Sequence, residues 1–295
     1  MTGSSKQNFH QKLDRWLSQK EEQATLVPLI QEIRKDHPCM SARILYNKIR
    51  PTTMGRDRFE AFCFEQGFRV LRPRNYRRTT DSSHTDHFPN LIEGRELTGV
   101  NQVLVSDITY YEMNGRYYYL TFIMDLYTRE IVGFHASKTL RTIDTSLPAL
   151  QMAVRRLGRE VFKGVIFHSD GGGQYYAREF LKLTSSLGMI NSMATEVYQN
   201  SHAERINGII KNSYLTGYQP QNEVELKREL ARAVHNYNTS KPHGSLNGRT
   251  PAECRHINLL IVMKIKQITK TIEVENNSAS YLPTSTVHHH QYEMA

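Results

Sequence analysis

Three acidic residues on separate segments of the chain are the first candidates for chemistry. Asp107 lies in QVLVSDITYY, Asp170 in HSDGGGQYY and Glu204 in NSHAERINGIIKN. Carboxylate oxygens from three elements suit Mg²⁺ or Mn²⁺, which retain waters and take their remaining ligands from substrate phosphates. Two such ions about 4 Å apart can activate an attacking oxygen and stabilise the leaving one. The three acids therefore predict a two-metal site for phosphoryl transfer.

Three glycines follow Asp170 directly and raise the question of what approaches its carboxylate. Gly171, Gly172 and Gly173 carry no side chain, so a DNA backbone can come close to Asp170. A glycine turn with a capping acid is the alternative interpretation of the same residues. Alongside Asp107 and Glu204, the DNA interpretation is favoured.

The hydrophobic pattern predicts the elements that position the first two acids. QVLVSDITYY and RYYYLTFIMD are rich in β-branched and aromatic residues, and Asn114-Gly115 between them favours a two-residue hairpin turn. EIVGFHAS predicts a third strand, and the buried strand GVIFHSD ends at Asp170. A period of two puts Asp107 on one strand face with Val103 and Val105, where a carboxylate needs a metal ion or a basic partner.

The third acid lies on a predicted helix. Glu204 falls in the first turns of a helix over residues 203–215, which Asn200 or Ser201 can cap. Lys211, seven residues later, shares its face, and Asn207 lies close beside it. A helix edge with the Glu204 carboxylate and the Lys211 ammonium group could bind a metal ion and a phosphate together.

The order of the elements indicates the fold class. Helices are predicted over residues 147–157, 177–187 and 225–237, with INSMA as another strand. Three antiparallel strands followed by alternating helices and strands indicate a mixed α/β layer arrangement, not a doubly wound sheet.

Positive charge is concentrated at the N-terminus. Of the formal net charge of +9, residues 1–80 hold 16 Lys and Arg against 8 Asp and Glu, whereas the remainder holds 22 against 21. This is the electrostatic footprint of a polyanion binder, although solvated basic tails are common too. The residues that we expect to contact nucleic acid here are Arg56, Arg58, Arg69, Arg72, Arg74, Arg77 and Arg78.

Short helices carry part of that charge. Thr25 can cap a first helix that ends near His37, Ser41 opens a second helix through Ile49, and Thr53 can cap a third. The last two, joined by RPTTMG, have the outline of a helix-turn-helix. Three-helix packing without a DNA contact would give the same periodicity, so the arginine cluster carries most of this inference.

Composition indicates the domain organisation and excludes some classes. We expect a basic helical module over residues 1–80, a linker over 81–100, a catalytic core over 101–256 and an extension over 257–295. The three cysteines lie too far apart for a zinc site. The sequence has neither an apolar run long enough to span a bilayer nor a signal peptide, so we expect a cytoplasmic, nucleoid-associated protein.

Four motifs in order carry a resemblance to a known family. VSDITYY, HSDGGGQYY, NSHAERINGIIKN and YNTSKPHGSLNGRTPAE resemble the catalytic core of DDE transposases related to retroviral integrases, above all those of the insertion-sequence IS-three group. The resemblance covers roughly residues 90–256, and the basic N-terminal helices resemble the helix-turn-helix that precedes this core.

The resemblance implies a fold, a site and a reaction. It implies an RNase H-like fold in which Asp107, Asp170 and Glu204 hold two Mg²⁺, with Mn²⁺ as a substitute, and in which Lys211 contacts the element's end. The reaction implied is hydrolysis at the end of the insertion sequence, followed by attack of the freed 3′-OH on another strand. The partners implied are terminal inverted repeats and target DNA, a second copy of the chain, and an upstream-frame DNA-binding protein of the same element.

Other functions compete with this interpretation. An RNA-degrading RNase H would cleave hybrids, and a retroviral-type integrase would carry an N-terminal zinc module of His and Cys, for which the spacing here is unsuitable. A DNA-binding regulator that has lost catalysis is the rival from another class. All three acids are present, which disfavours the regulator.

Overall fold

A five-stranded mixed sheet organises the larger part of the chain. The computed structural model describes residues 6–70, 88–194 and 197–279. Three strands form an antiparallel meander, and two short strands extend it in parallel with the first, in the order β3-β2-β1-β4-β5. The strands are β1 (Val103–Met113), β2 (Arg116–Asp125), β3 (Ile131–Ser137), β4 (Ile166–Ser169) and β5 (Ile190–Met193).

The hairpin between β1 and β2 forms where the sequence predicts it. Asn114 and Gly115 both have positive φ, 52° and 71°, as the mirror-image turn of a two-residue hairpin requires. The order of antiparallel strands, then helix and strand in alternation, confirms the predicted mixed arrangement.

Helices cover both faces of this sheet. The helices of this region are α4 (Ser146–Leu157), α5 (Arg178–Ser186), α6 (Ser201–Ile209), α7 (Thr216–Tyr218) and α8 (Glu223–Thr239), and a π-helical segment, Ile210–Leu215, continues α6. Leu104 of β1 packs with α4 and α5 residues on one face. Val103 and Val105 pack with α6 and α8 on the other. Alternation along β1 therefore turns Asp107 towards the α6 face.

Strand β3 and helix α4 touch through a glycine. A Cβ atom on Gly133 would lie 2.3 Å from the carbonyl oxygen of Ala149 and 3.1 Å from the Cβ atom of Ala153. Both atoms belong to a buried helix, so neither can move cheaply. This position has to remain without a side chain.

Gly133→Ala is expected to lower the free energy of unfolding by about 2 kcal/mol, because overpacking of a filled interface costs roughly this amount. Denaturant unfolding measures the change. Gly244→Ala is the matched control, since a Cβ atom there meets nothing within 4 Å. Equal midpoints for both variants would contradict the close contact.

The N-terminal helices enclose a small core of their own. They are α1 (Lys6–Asp36), α2 (Ala42–Ile49) and α3 (Arg56–Glu65). The side chains buried among them are Leu26, Ile30, Met40, Leu45, Met54, Phe59, Phe62 and Cys63. The predicted second helix and the end of the first before Pro38 are confirmed.

Two predicted helix starts are wrong. Helix α1 begins at Lys6, well before Thr25, and the Thr25 hydroxyl donates to the carbonyl of Glu22 inside the helix. The Thr53 hydroxyl and backbone amide both bond to the Glu22 carboxylate, and α3 begins only at Arg56. A glutamate distant in sequence thus binds the Thr53 hydroxyl, whose oxygen would otherwise have accepted a capping bond from α3.

The N-terminal helices pack directly on the sheet domain, and both belong to a compact unit that ends at Arg255. The His37 Nδ1 atom lies 3.0 Å from the Tyr214 hydroxyl, and the Tyr218 hydroxyl donates to the carbonyl of Asp36 over 2.5 Å. A Cβ atom on Gly217 would lie 2.2 Å from the Cβ atom of Pro38. The backbones therefore approach closely at this contact.

A long helix, α9 (Pro251–Ala279), follows, and from His256 onward it belongs to a second unit. The apolar stretch INLLIVMKIKQI, at the start of the predicted extension, is helical. No helix in the described part of the chain combines the length and apolar character needed to cross a membrane.

Candidate active site

The strand register brings two of the predicted acids side by side. Strands β1 and β4 pair in parallel up to Ser106 opposite Ser169. Asp107 is the next residue of β1 and Asp170 directly follows the end of β4, so the two side chains leave the same face of the sheet. The carboxyl groups come close enough for a hydrogen bond between them when one is protonated.

Burial and mutual repulsion make this pair unfavourable when both acids are charged. Burial, the Asp170 charge and the Glu204 charge raise the pKa of Asp107 well above its usual range. Burial likewise raises the pKa of Asp170. Two adjacent carboxylates in a poorly solvated position favour a shared proton or a bound cation. A divalent ion fits this pair of hard oxygen donors.

Side chains from α6 and the π-helical segment surround Asp107. The amide of Asn207 donates to Asp107 Oδ2 over 2.6 Å, and the backbone amide of Ile108 donates to Oδ1 over 2.8 Å. Lys211 donates to Thr109 Oγ1 over 2.6 Å and to the Tyr110 carbonyl over 3.2 Å. These bonds fix the Asp107 carboxylate and place a cation beside it.

The structure places the predicted DNA contacts Asn207 and Lys211 close to β1. Asn207 is 5% exposed, whereas Lys211 is half-buried, and burial lowers its pKa although Asp107 opposes this shift. Lys211 also lies 5.1 Å from the centre of the Tyr110 ring. Asn207 and Lys211 therefore both contact β1, the strand that carries Asp107.

Glu204 remains apart from the two aspartates. It lies in the first turn of α6, is exposed, and raises the pKa of Asp107 by its charge. Within residues 6–70, 88–194 and 197–279, no group of three or more His, Cys, Asp or Glu side chains comes together around one point. The structure therefore brings together Asp107 and Asp170 but not the complete predicted triad.

The predicted cap of α6 is wrong. Asn200 occupies the N-cap position of α6, but its side chain makes no capping hydrogen bond. The amide of Asn200 instead donates to the carbonyl of Ser106 over 3.0 Å. This bond ties the start of α6 to β1 next to Asp107, so a tertiary contact has displaced the local one.

The glycines after Asp170 differ from one another in their surroundings. The Gly172 amide donates to Asp170 Oδ1 over 3.2 Å, and a Cβ atom there would lie 3.0 Å from that oxygen and 3.0 Å from Gln174 Oε1. A Cβ atom on Gly173 would meet nothing within 4 Å. Space around the carboxylate is thus restricted at Gly172 and open at Gly173.

Tyr175, which follows the glycines, anchors this loop. The buried Tyr175 hydroxyl lies 2.9 Å from Ser106 Oγ, which donates to the Phe122 carbonyl over 2.9 Å. Burial and the charges of Asp170 and Asp107 raise the pKa of Tyr175. Sequence reasoning missed Ser106 and Tyr175, because a polar residue in a strand and a tyrosine in a loop are common and signal nothing locally.

Other polar residues near the site have structural partners. His168 is fully buried, with Nδ1 2.9 Å from Ser192 Oγ, and burial lowers its pKa to about 4. Asp125 accepts bonds from the amide and hydroxyl of Thr128 and from the amide of Asn101, each over 2.7 Å. Both side chains are thus engaged in contacts that hold the fold.

The predicted basic contacts at the N-terminus are described only in part. Arg56 and Arg58 are exposed at the start of α3, Arg56 beside Asp57 at 2.9 Å and Arg58 beside Gln19 at 3.3 Å. Arg69 is exposed near the Phe64 ring. The remaining predicted contacts lie outside the described residues: Arg72, Arg74, Arg77 and Arg78.

Comparison with known proteins adds to this geometry. A family model described as the integrase core domain matches residues 98–196, and a second model with the same description matches residues 189–251. A 31 kDa protein of insertion element IS600 from Shigella sonnei is 32% identical over 207 residues, which are 68% of this chain and 75% of that protein. The transposase InsF of insertion sequence IS3A from Escherichia coli is 30% identical over 170 residues, 55% of this chain and 56% of InsF.

Among solved structures, the magnesium complex of the HTLV-2 integrase catalytic core domain aligns with a TM-score of 0.43 and 23% identity, over 53% of this chain and 97% of that one. The mixed sheet flanked by helices, together with the integrase core matches, identifies the fold as RNase H-like. The chain belongs to the DDE transposases of the IS3 group, integrase-core proteins that function in DNA transposition.

Proposed function

We propose that Asp107, Asp170 and Glu204 hold two divalent ions, and that the chain cleaves DNA at insertion-sequence ends and joins the freed 3′-OH to a target strand. The adjacent, half-buried carboxylates of Asp107 and Asp170 carry this proposal, since burial raises the pKa of each. A cation between them removes the repulsion that the fold imposes. Glu204, exposed in the first turn of α6, would supply the third carboxylate.

Mg²⁺, or Mn²⁺ in its place, would supply Lewis acidity to the attacking and leaving oxygens of the phosphodiester. The chain's own residues would position the carboxylates that hold the ions. Asn207 holds the Asp107 carboxylate by a hydrogen bond, and Gly172 leaves room for the Asp170 carboxylate. The contact between Tyr175 and Ser106 links the loop after Asp170 to β1.

The DNA contacts are part of the same proposal. The charge of Lys211 acts on Asp107, and Lys211 bonds to β1 beside it, which supports a contact between Lys211 and a backbone phosphate. Arg56 and Arg58 at the exposed start of α3 would contact the terminal repeat, together with Arg69 and the arginines of residues 72–78. Two element ends must meet during transposition, so the active form is proposed to be at least a dimer, acting in the cytoplasm on nucleoid DNA. An upstream-frame protein of the element would be a further partner.

Strand transfer on a labelled duplex carrying the element's terminal repeat tests the proposal. Glu204→Gln is expected to reduce Mg²⁺-dependent joining by about a hundredfold or more, since one charged ligand of a catalytic ion is lost. Glu179→Gln, an exposed acid of α5, is the matched control and should join at the wild-type rate.

The alternative of a catalytically silent regulator predicts a different pattern. Wild-type protein would then bind the labelled end without joining it in Mg²⁺ or Mn²⁺. Undiminished joining by Glu204→Gln would instead remove Glu204 from the metal site.

A further inference from the structure

A basic cavity lies on the α6 side of the sheet, away from the two aspartates. Its volume is about 470 Å³, and α2, the turn before β3, α6 and the loop after α8 enclose it. No acidic residue of the described chain lines it. The charged or titratable side chains around it are Arg43, Arg129, His202, Arg205, Lys241 and His243.

Arg129 enters this cavity without a partner for part of its guanidinium group. Its Nη1 atom is buried and makes no hydrogen bond within the described residues. The nearest acids in sequence are already engaged: Asp125 with Thr128 and Asn101, and Glu130 with Arg156 and Arg255. A buried donor without a partner is costly, so this position suits an external acceptor.

Arg205 and His243 face the same space. Arg205 makes neither an ion pair nor a hydrogen bond with residues that the structure describes. The Nε2 atom of His243 is buried and unpaired, while its ring packs on Tyr237 with centroids 4.8 Å apart. Burial, and then the charges of Lys241, Arg205 and Arg129, lower the pKa of His243 to about 3. Three cations therefore converge on one neutral imidazole.

We propose that this cavity binds a phosphate group of the DNA backbone. Guanidinium groups match phosphate oxygens in a two-pronged geometry. Arg129 is half-buried, which weakens solvent screening of its attraction for a phosphate, whereas Arg205 is exposed at the mouth of the cavity. The inference rests on the proposed DNA-joining function. Arg205 directly follows Glu204 in α6, so the bound phosphate would belong to DNA that passes along this helix.

Binding of a fluorescent duplex of about 20 base pairs and arbitrary sequence tests the cavity, because non-specific binding depends on phosphate contacts. Arg205→Gln and Arg129→Gln are compared with wild-type protein over a range of salt concentrations and without divalent ions. The matched control is Arg155→Gln, which removes the same charge from an exposed position on α4. Thermal melting confirms that each variant is folded.

Arg205→Gln and Arg129→Gln are each expected to weaken binding about fivefold or more and to reduce the slope of log affinity against log salt by about one. Arg155→Gln should change neither. Wild-type affinity and slope in both cavity variants would overturn the proposal. So would an equal loss in Arg155→Gln, because the effect would then be one of net charge alone.

A second arm separates DNA from free anions. Should inorganic phosphate raise the melting temperature of wild-type protein but not of Arg205→Gln, while DNA affinity stays the same in both, the site takes a free anion and the DNA assignment fails. Strand transfer is assayed separately. If wild-type protein fails to join ends although DNA binding depends on Arg205 and Arg129, the proposed function falls and the cavity assignment stands.

Discussion

Asp107→Asn is expected to lower the rate of strand transfer by about a thousandfold or more, since the carboxylate that we propose as a ligand of the catalytic ions becomes neutral. The substitution preserves shape, and the Asn207 amide can still donate to the new side-chain oxygen. The loss should therefore come from charge and not from misfolding. Rates on a labelled element end in Mg²⁺ measure it, with Glu179→Gln as the control of equal charge change.

The same variant should be more stable than the wild type when no divalent ion is present. The pKa of Asp107 is raised in the folded state, so its charged form costs stability above the pKa of the unfolded chain. Asparagine removes that cost, and we expect a melting temperature about 2 to 4 °C higher in EDTA at neutral pH. Higher activity, or a lower melting temperature in EDTA, would contradict the picture of two repelling aspartates.

Gly172→Ala is expected to reduce strand transfer by about tenfold to a hundredfold, because displacing a reacting group by a fraction of an ångström has effects of this size. Its Cβ atom would lie 3.0 Å from Asp170 Oδ1, so the carboxylate has to turn away. The melting temperature should change little, since the displaced atoms are ends of side chains. Joining rates and thermal melting of the purified variant measure both quantities.

Gly173→Ala distinguishes two explanations for the glycines: space for the Asp170 carboxylate, and space for an approaching DNA backbone. A Cβ atom at Gly173 meets no protein atom within 4 Å. If Gly172→Ala alone is impaired, the carboxylate requires the glycine. If both variants lose activity, an approaching DNA backbone requires the open surface at both positions. Full activity in Gly172→Ala would show that Asp170 tolerates the contact.

Local patterns were sufficient for most of the sheet. The period of two in β1, the Asn114-Gly115 turn and the buried run before Asp170 each depend on neighbours in sequence, and each is found as predicted. The pairing of Asp107 with Asp170 depends on register between distant strands. The sequence indicated that both acids matter, but it did not show that they touch.

Features that depend on tertiary contacts were predicted poorly. Asn200 bonds to β1 and not to its own helix, and Glu22 takes the donors of Thr53. Lys211 lies in a π-helical segment, which no local signal marked, so its direction could not be derived from a regular helix. Arg129, Arg205 and His243 come from the turn before β3, from α6 and from the loop after α8. They meet only when these three elements are folded together, so no local motif could predict the cavity.

The close seating of Pro38 on Gly217 has a consequence for how the molecule handles its substrate. His37 contacts Tyr214, and Asp36 contacts Tyr218 and Arg232. Together with the close approach of Pro38 to Gly217, these contacts fix the orientation of the N-terminal helices relative to the sheet. DNA held on α3 would then arrive at the aspartates from one set direction. A shortened protein that starts after these helices would expose Tyr214 and Tyr218 to solvent. We expect such a protein to aggregate more readily than the full chain.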